Sequence, residues 1–162
     1  MKLTLNVGCG ARTYKEYPEG HKCINYDERG IPEVDEVGDV KDLSRYPDGH
    51  FDYILASDII EHFPISETQK ILTEWKRVLK VNGVIEFRLP NLRAICQKYI
   101  NKVADAKLTS WLLYGGQDYP GNFHYAAFDR AFFKQTITPL GFKEIYFEPM
   151  DNNFEVKYKR IA

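Results

Sequence analysis

The chain has 162 residues, of which 44% are hydrophobic and 28% charged, as in an ordinary soluble globular protein. That length supports one domain with its own core, spanning residues 1–162. The formal net charge of −1 argues against a broad electrostatic grip on nucleic acid, and the basic cluster Lys157, Lys159 and Arg160 reads as a solvated strand end.

The first apolar run, Leu3, Leu5 and Val7, predicts a strand over residues 3–7, broken at once by Gly8 and Gly10. No secretory leader is expected before a strand that starts so early. Residues 11–22 are polar and contain Pro18 and Gly20, so a helix there is short or replaced by loop. A second strand over residues 23–26 ends at Asp27, and a third is expected over 36–40 and a fourth over 51–56. Residues 66–80 form the clearest helix. Ser66 and Gln69 suggest a capping box, Ile71, Leu72, Trp75, Val78 and Leu79 share a face, and Asn82-Gly83 ends it. A fifth strand over residues 84–89 stops at Pro90. Residues 91–114 read as helix in two pieces, 115–124 as a loop rich in glycine and aromatics, and 129–138 as a last helix. Strands over 142–147 and 154–159 close the chain as a hairpin. Alternation of strands with helices or loops implies an α/β fold, a doubly wound, mostly parallel sheet covered on both faces. No apolar run approaches the roughly 20 residues of a membrane span. Cys9, Cys23 and Cys96 form no CxxC pair, which suggests reduced thiols in the cytoplasm rather than disulfides or a zinc site.

In such a sheet, ligands bind beyond the carboxyl ends of the strands. Four stretches meet there: Gly8-Cys9-Gly10 after the first strand, Asp27 at the tip of the second, Asp39 and Asp42 after the third, and Ser57, Asp58, Glu61 and His62 after the fourth. A glycine turn after a strand lets a ligand lie against bare backbone. A carboxylate at Asp27 can accept hydrogen bonds from both hydroxyls of a ribose. Asp42 beside Leu43 suits an adenine, the carboxylate taking the amino group and the leucine covering the ring, or else Asp42 caps a short turn. Asp39 reads as structural.

The ordered set Leu-Asn-Val-Gly-Cys-Gly, Ile-Asn-Tyr-Asp, Asp-Val-Lys-Asp-Leu, Phe-Asp-Tyr-Ile-Leu-Ala-Ser-Asp-Ile-Ile-Glu-His-Phe and Leu-Lys-Val-Asn-Gly-Val-Ile-Glu-Phe resembles the class I S-adenosylmethionine-dependent methyltransferases. Leu140-Gly141-Phe142 resembles that family's entry to its last hairpin. The resemblance implies a Rossmann-like seven-stranded sheet in the order 3-2-1-4-5-7-6 with the last strand antiparallel. It implies S-adenosylmethionine as cofactor, with Asn6, Gly8, Cys9 and Gly10 at its methionine part, Asp27 at the ribose, Asp42 and Leu43 at the adenine, and backbone near Ser57 at the sulfonium. Asn6 stands where the family often has an acidic residue. The eroded first helix leaves Arg12 as a candidate partner for the cofactor's carboxylate, or as a plain surface arginine.

Methyl transfer is an in-line displacement, and a base is needed only when the acceptor must lose a proton. His62 and His124 are the candidate bases, and His62 has loop-pinning as its alternative. Gln117, Tyr119 and His124 are candidates to line the acceptor pocket. The chain lacks the Asn/Asp-Pro-Pro-Tyr run of enzymes that methylate amino groups of nucleic-acid bases, so a small or medium acceptor is expected, such as a sugar or metabolite hydroxyl. A methyltransferase-like binding protein without catalysis is the alternative. A nicotinamide-dependent oxidoreductase is disfavoured because Gly8-Cys9-Gly10-Ala11-Arg12-Thr13 lacks a third glycine.

Overall fold

The computed structural model describes residues 1–162. Its strands are β1 (Lys2–Val7), β2 (His21–Asp27), β3 (Glu36–Val37), β4 (Phe51–Ser57), β5 (Leu79–Pro90), β6 (Phe142–Pro149) and β7 (Asn153–Arg160). They form one sheet in the order 3-2-1-4-5-7-6, as the family resemblance implies. Strands β1 to β5 pair in parallel, and β7 lies antiparallel between β5 and β6. β1 and β4 are neighbours at the point where the winding reverses, which is where a doubly wound sheet opens a crevice.

The helices are α1 (Ile65–Val78), α2 (Leu92–Ile100), α3 (Ala106–Tyr114) and α4 (Arg130–Ile137). Helical spacing puts Ile71, Leu72, Trp75 and Val78 on the buried face of α1. They pack with Phe133 and Ile137 of α4 against Leu5, Val7, Ile54, Ala56, Ile85 and Phe87 of the sheet in one apolar core. The Trp75 indole N–H donates to the Val40 carbonyl at 2.8 Å, which fixes the segment after β3 to the core. No helix is long and apolar enough to cross a membrane.

Three local expectations change. The Ser66–Gln69 capping box does not form: α1 begins a residue earlier, after Pro64, so Ser66 already lies in the first turn. α1 ends at Val78, because Leu79 turns extended and pairs with Phe51. Asn82-Gly83 therefore falls inside β5, beside a register shift between Phe51 and Tyr53, with Asn82 at φ 68°. β3 stops at Val37 rather than residue 40, since Gly38 lies so close to the Tyr26 ring that no side chain fits there and the chain turns away.

The largest departure from coverage by helices on both faces concerns residues 11–20, which contain no helix. They cross the second face of the sheet as an irregular strap. That face is polar: Thr4, Asn6, Asn25 and Glu86 point into it and are buried. Asn25 is the hub. Its amide oxygen accepts from Asn6 Nδ2 at 3.1 Å and from the Tyr14 N–H at 3.0 Å, and its amide nitrogen donates to the Tyr14 carbonyl at 2.9 Å and to Asp35 at 2.8 Å. Further along the strap, Tyr17 donates to Glu86 Oε1 at 2.6 Å, while Tyr53 donates to Oε2 and Lys157 Nζ lies 3.0 Å from the same oxygen. A ladder of polar side chains thus holds the strap where a helix would be held by apolar packing.

Candidate active site

Gly8 and Gly10 close the turn after β1 at φ 62° and 54°, values open to glycine at little cost. The Gly8 and Cys9 amides both donate to the Tyr26 carbonyl, at 2.8 and 3.2 Å, which draws the turn over the end of β2. The Gly10 amide donates to Asp27 Oδ2 at 2.7 Å. A cavity of about 660 Å³ opens beside this turn, at the carboxyl ends of β1, β2 and β4.

Asn6, Gly8, Cys9, Gly10, Asp27, Ser57 and His62 all line that cavity. Asn6 faces it through a side chain already bonded, since its amide donates to the Arg12 carbonyl at 2.9 Å. The Cys9 thiol is pushed up to about 12, chiefly by burial and then by the Asp27 charge, so it is inert at neutral pH. Burial would raise the pKa of Asp27, but hydrogen bonds from the Arg29 side chain and backbone and from the Gly10 amide outweigh it. Asp27 is therefore held below the usual carboxylate range and stays ionised.

Asp42 and Leu43 do not line the cavity. Leu43 is fully buried in the core, and Asp42 faces away, accepting from the Ser44 amide at 3.0 Å in a local turn. Asp39 and Val40 line the wall instead. The early end of β3 explains the offset, since it brings the strand tip closer to Val37 than to Leu43.

Arg29 is a charged cavity residue that the sequence reading missed, beside Val40, Phe63 and Tyr125. Its Nε lies 3.0 Å from Asp27 Oδ1, its guanidinium is 5.3 Å from the centre of the Tyr119 ring, and one of its nitrogens would be 2.6 Å from a Cβ on Gly10. The only signal in the sequence is an arginine two positions beyond the strand-end aspartate. Arg12, the candidate for the cofactor's carboxylate, reaches Ser57 Oγ at 2.9 Å and Asp58 Oδ2 at 3.3 Å. Asp58 also pairs with Arg88 and accepts from Asn153 at 3.0 Å.

The far wall comes from the loop before α4, through Tyr119, Pro120, Gly121 and Tyr125. Gln117 is not part of the lining. The loop is tied to the end of β4 at two points: the Tyr125 and Ala126 amides donate to the Glu61 carbonyl at 2.8 and 3.2 Å, and His62 Nδ1 lies 3.0 Å from the Gly121 carbonyl. A carbonyl can only accept, so His62 carries its proton on Nδ1 and keeps a lone pair on Nε2. His124 stands behind His62, not on the cavity wall, with ring centres 4.8 Å apart and planes at 88°. Burial pulls both imidazoles below their usual pKa, and for His124 the neighbouring His62 adds to the effect. Glu61 completes the group. It is fully enclosed, neither side-chain oxygen has a hydrogen-bond partner, and burial, with Asp58 second, pushes its carboxyl up to about 8.

A sheet in this order with an antiparallel seventh strand, and a glycine turn bonded to an acidic strand tip, defines the class I S-adenosylmethionine-dependent methyltransferases. The model of the methyltransferase domain family matches residues 5–87, about half of the chain, and the chain belongs to that family. It is an S-adenosylmethionine-dependent methyltransferase, with S-adenosylmethionine as cofactor. Solved structures agree on the fold. A protein from Pyrococcus horikoshii is 19% identical, with a TM-score of 0.73 over 98% of this chain and 81% of that one. A SAM-dependent methyltransferase from Archaeoglobus fulgidus is 17% identical, with a TM-score of 0.68 over 98% of this chain and 86% of that one. The 1,6-didemethyltoxoflavin-N1-methyltransferase of Burkholderia thailandensis, solved with 1,6-didemethyltoxoflavin and S-adenosylhomocysteine bound, is 15% identical, with a TM-score of 0.71 over 99% of this chain and 71% of that one. Comparison with curated proteins returns no match.

Proposed function

We propose that the chain acts as one domain that moves the methyl group of S-adenosylmethionine to a hydroxyl of a small or medium molecule, such as a sugar or metabolite. The observation that carries this reading is the neutral His62 ring on the cavity wall, its Nδ1 bonded to the Gly121 carbonyl, which leaves Nε2 as the basic nitrogen. An acceptor hydroxyl at Nε2 passes its proton to the ring as its oxygen forms the new C–O bond. The C–S bond breaks, and its electron pair goes to sulfur, leaving neutral S-adenosylhomocysteine. Alignment and exclusion of water supply most of the acceleration, because the methyl group already carries its leaving group. The turn from Asn6 to Gly10 holds the methionine part, Asp27 the ribose, Asp39 and Val40 the adenine, and Ser57 lies near the sulfonium. The cavity volume falls within the range of small-molecule sites, and a methyltransferase of similar fold binds a small heteroaromatic acceptor. Three free cysteines suit a reducing compartment such as the cytoplasm.

Two measurements test the assignment. Calorimetric titration with S-adenosylhomocysteine is expected to lose roughly tenfold or more in affinity on Asp27→Asn, since a charged acceptor contributes about 1.5–3 kcal/mol. Unchanged affinity removes Asp27 from the site. His62→Ala is expected to lower turnover by roughly 10²–10⁴-fold with cofactor affinity nearly intact. The wild-type acid limb should have its midpoint below the ordinary imidazole value, because the lowered pKa keeps the base free to lower pH. An acid limb unchanged in His62→Ala would assign the base elsewhere.

A further inference from the structure

Beside the cofactor cavity lies a group that a single base does not account for. Glu61, His62 and His124 each bring one ligand-type atom, and these atoms all lie within 4.8 Å of one another. Atoms so spaced share a point no more than about 2.8 Å from each, against the ~2.1 Å of a bond to a first-row metal, so the three groups would close slightly on an ion. The Glu61 carboxylate supplies one atom of this group, and neither of its oxygens has a hydrogen-bond partner, although the residue is 1% exposed. A buried carboxyl without hydrogen bonds calls for an explanation, and a cation supplies one.

The surroundings fit as well. His62 uses Nδ1 to donate to the Gly121 carbonyl, and the carbonyls of Leu112 and Leu113 face the His124 ring. A ring nitrogen engaged by a backbone carbonyl is the usual way a protein orients a metal-binding histidine and fixes its tautomer. Two imidazoles and one carboxylate form a borderline donor set, suited to zinc, iron, cobalt or manganese rather than to calcium or magnesium. Three protein ligands leave a coordination position open, and His62 borders the cavity.

We propose that Glu61, His62 and His124 bind one first-row divalent cation, zinc by preference, whose open position takes the oxygen of the methyl acceptor. This last clause rests on the hydroxyl-acceptor reading above; the cation site itself does not. A hydroxyl bound to such a cation loses its proton to solvent near neutral pH. The bound oxygen then forms the C–O bond as the C–S bond breaks and its electron pair passes to sulfur. With the cation bound, His62 is a ligand and the cation replaces it in deprotonating the hydroxyl, so proton transfer to the His62 ring belongs to the cation-free protein alone.

Full-length protein, stripped with a chelator and saturated with S-adenosylhomocysteine, is titrated with Co²⁺ as a visible stand-in for Zn²⁺. One ion per chain with ligand-field absorption is expected, displaced by Zn²⁺. His124→Ala and Glu61→Gln are each expected to weaken it by roughly tenfold or more. S-adenosylhomocysteine affinity, measured on the same samples, reports that each variant is folded. The site is overturned if protein that binds S-adenosylhomocysteine shows no such absorption, or if the two variants bind Co²⁺ as the wild type does. Metal-loaded enzyme is then offered a panel of hydroxyl and amine acceptors. Metal-dependent methylation of a hydroxyl supports the whole proposal. Methylation of amines alone overturns the acceptor clause and leaves the cation site standing.

Discussion

Gly8 occupies a position where two constraints coincide. Its φ of 62° is costly for any residue with a Cβ, and an added methyl would overlap the Ile59 side chain. Gly8→Ala should therefore destabilise the fold by roughly 2–4 kcal/mol, read from urea unfolding. Adding Ile59→Ala removes the overlap and leaves the backbone cost, so the double variant should be less destabilised than the two single effects added together. Strict additivity would mean that Gly8 and Ile59 do not touch in solution. The glycines and Asp27 could be placed on the cavity from the sequence because they stand at the end of strands with a clear apolar pattern, and His62 because only one short turn separates it from β4. Asp42 and Leu43 were misplaced for the opposite reason. β3 has two residues and no alternation of its own, so nothing local marks where its tip lies. Arg29 becomes legible only once the fold brings its neighbours near, and Glu61, placed on the rim by its position after the fourth strand, shows its lack of partners only there, since a salt bridge and an orphaned carboxyl are not sequence patterns.

At the scale of elements, the strap of residues 11–20 depends on Asn25. The sequence marks the lack of a first helix through Pro18 and Gly20, yet says nothing about what replaces it. The replacement is carried by one side-chain amide on each of β1 and β2, Asn6 and Asn25, paired across the ladder, and a lone Asn in a strand reads only as a weak strand. Asn25→Ala removes four hydrogen bonds and leaves both backbone groups of Tyr14 in need of partners, while Asp35 keeps the backbone amide of residue 25 and Asn6 keeps the Arg12 carbonyl. A loss of roughly 2–4 kcal/mol is expected. Limited proteolysis should cut the variant within residues 11–20 well before the wild type. Resistance equal to the wild type would mean that Tyr17 and Glu86 anchor the strap by themselves.

For the whole molecule, the two faces of the sheet follow different rules. One is an apolar core under α1 and α4; the other is a buried polar layer in which Tyr17 and Tyr53 share Glu86. Burial first, and the Glu86 carboxylate next, raise the pKa of Tyr17 and Tyr53, and burial does the same to Tyr46 and Tyr158. These phenols keep their protons in the fold at a pH where the unfolded chain releases them. The unfolded state then binds fewer protons, so stability falls as pH rises. The stabilisation is fully present below the unfolded value of about 10 and is lost above it. The urea midpoint should hold up to about pH 10 and drop steeply beyond, and Tyr158→Phe should soften that drop. An alkaline limb unchanged by the substitution would assign the loss to other groups.

The glycine turn has a consequence for how the cofactor is held. The Gly8 and Cys9 amides are engaged by Tyr26, the Gly10 amide by Asp27, and the Arg12 amide by the Cys9 carbonyl. With no helix following β1, there is no helix dipole and no row of free amides to receive the carboxylate of the methionine moiety. Arg12, the candidate partner for that carboxylate, presents a half-exposed guanidinium held by Ser57 and Asp58 and in contact with solvent. Dissolved salt competes for such a charge far more than for a buried amide. A grip through Arg12 on the cofactor's amino-acid end would weaken as ionic strength rises, which titration at two salt concentrations reads.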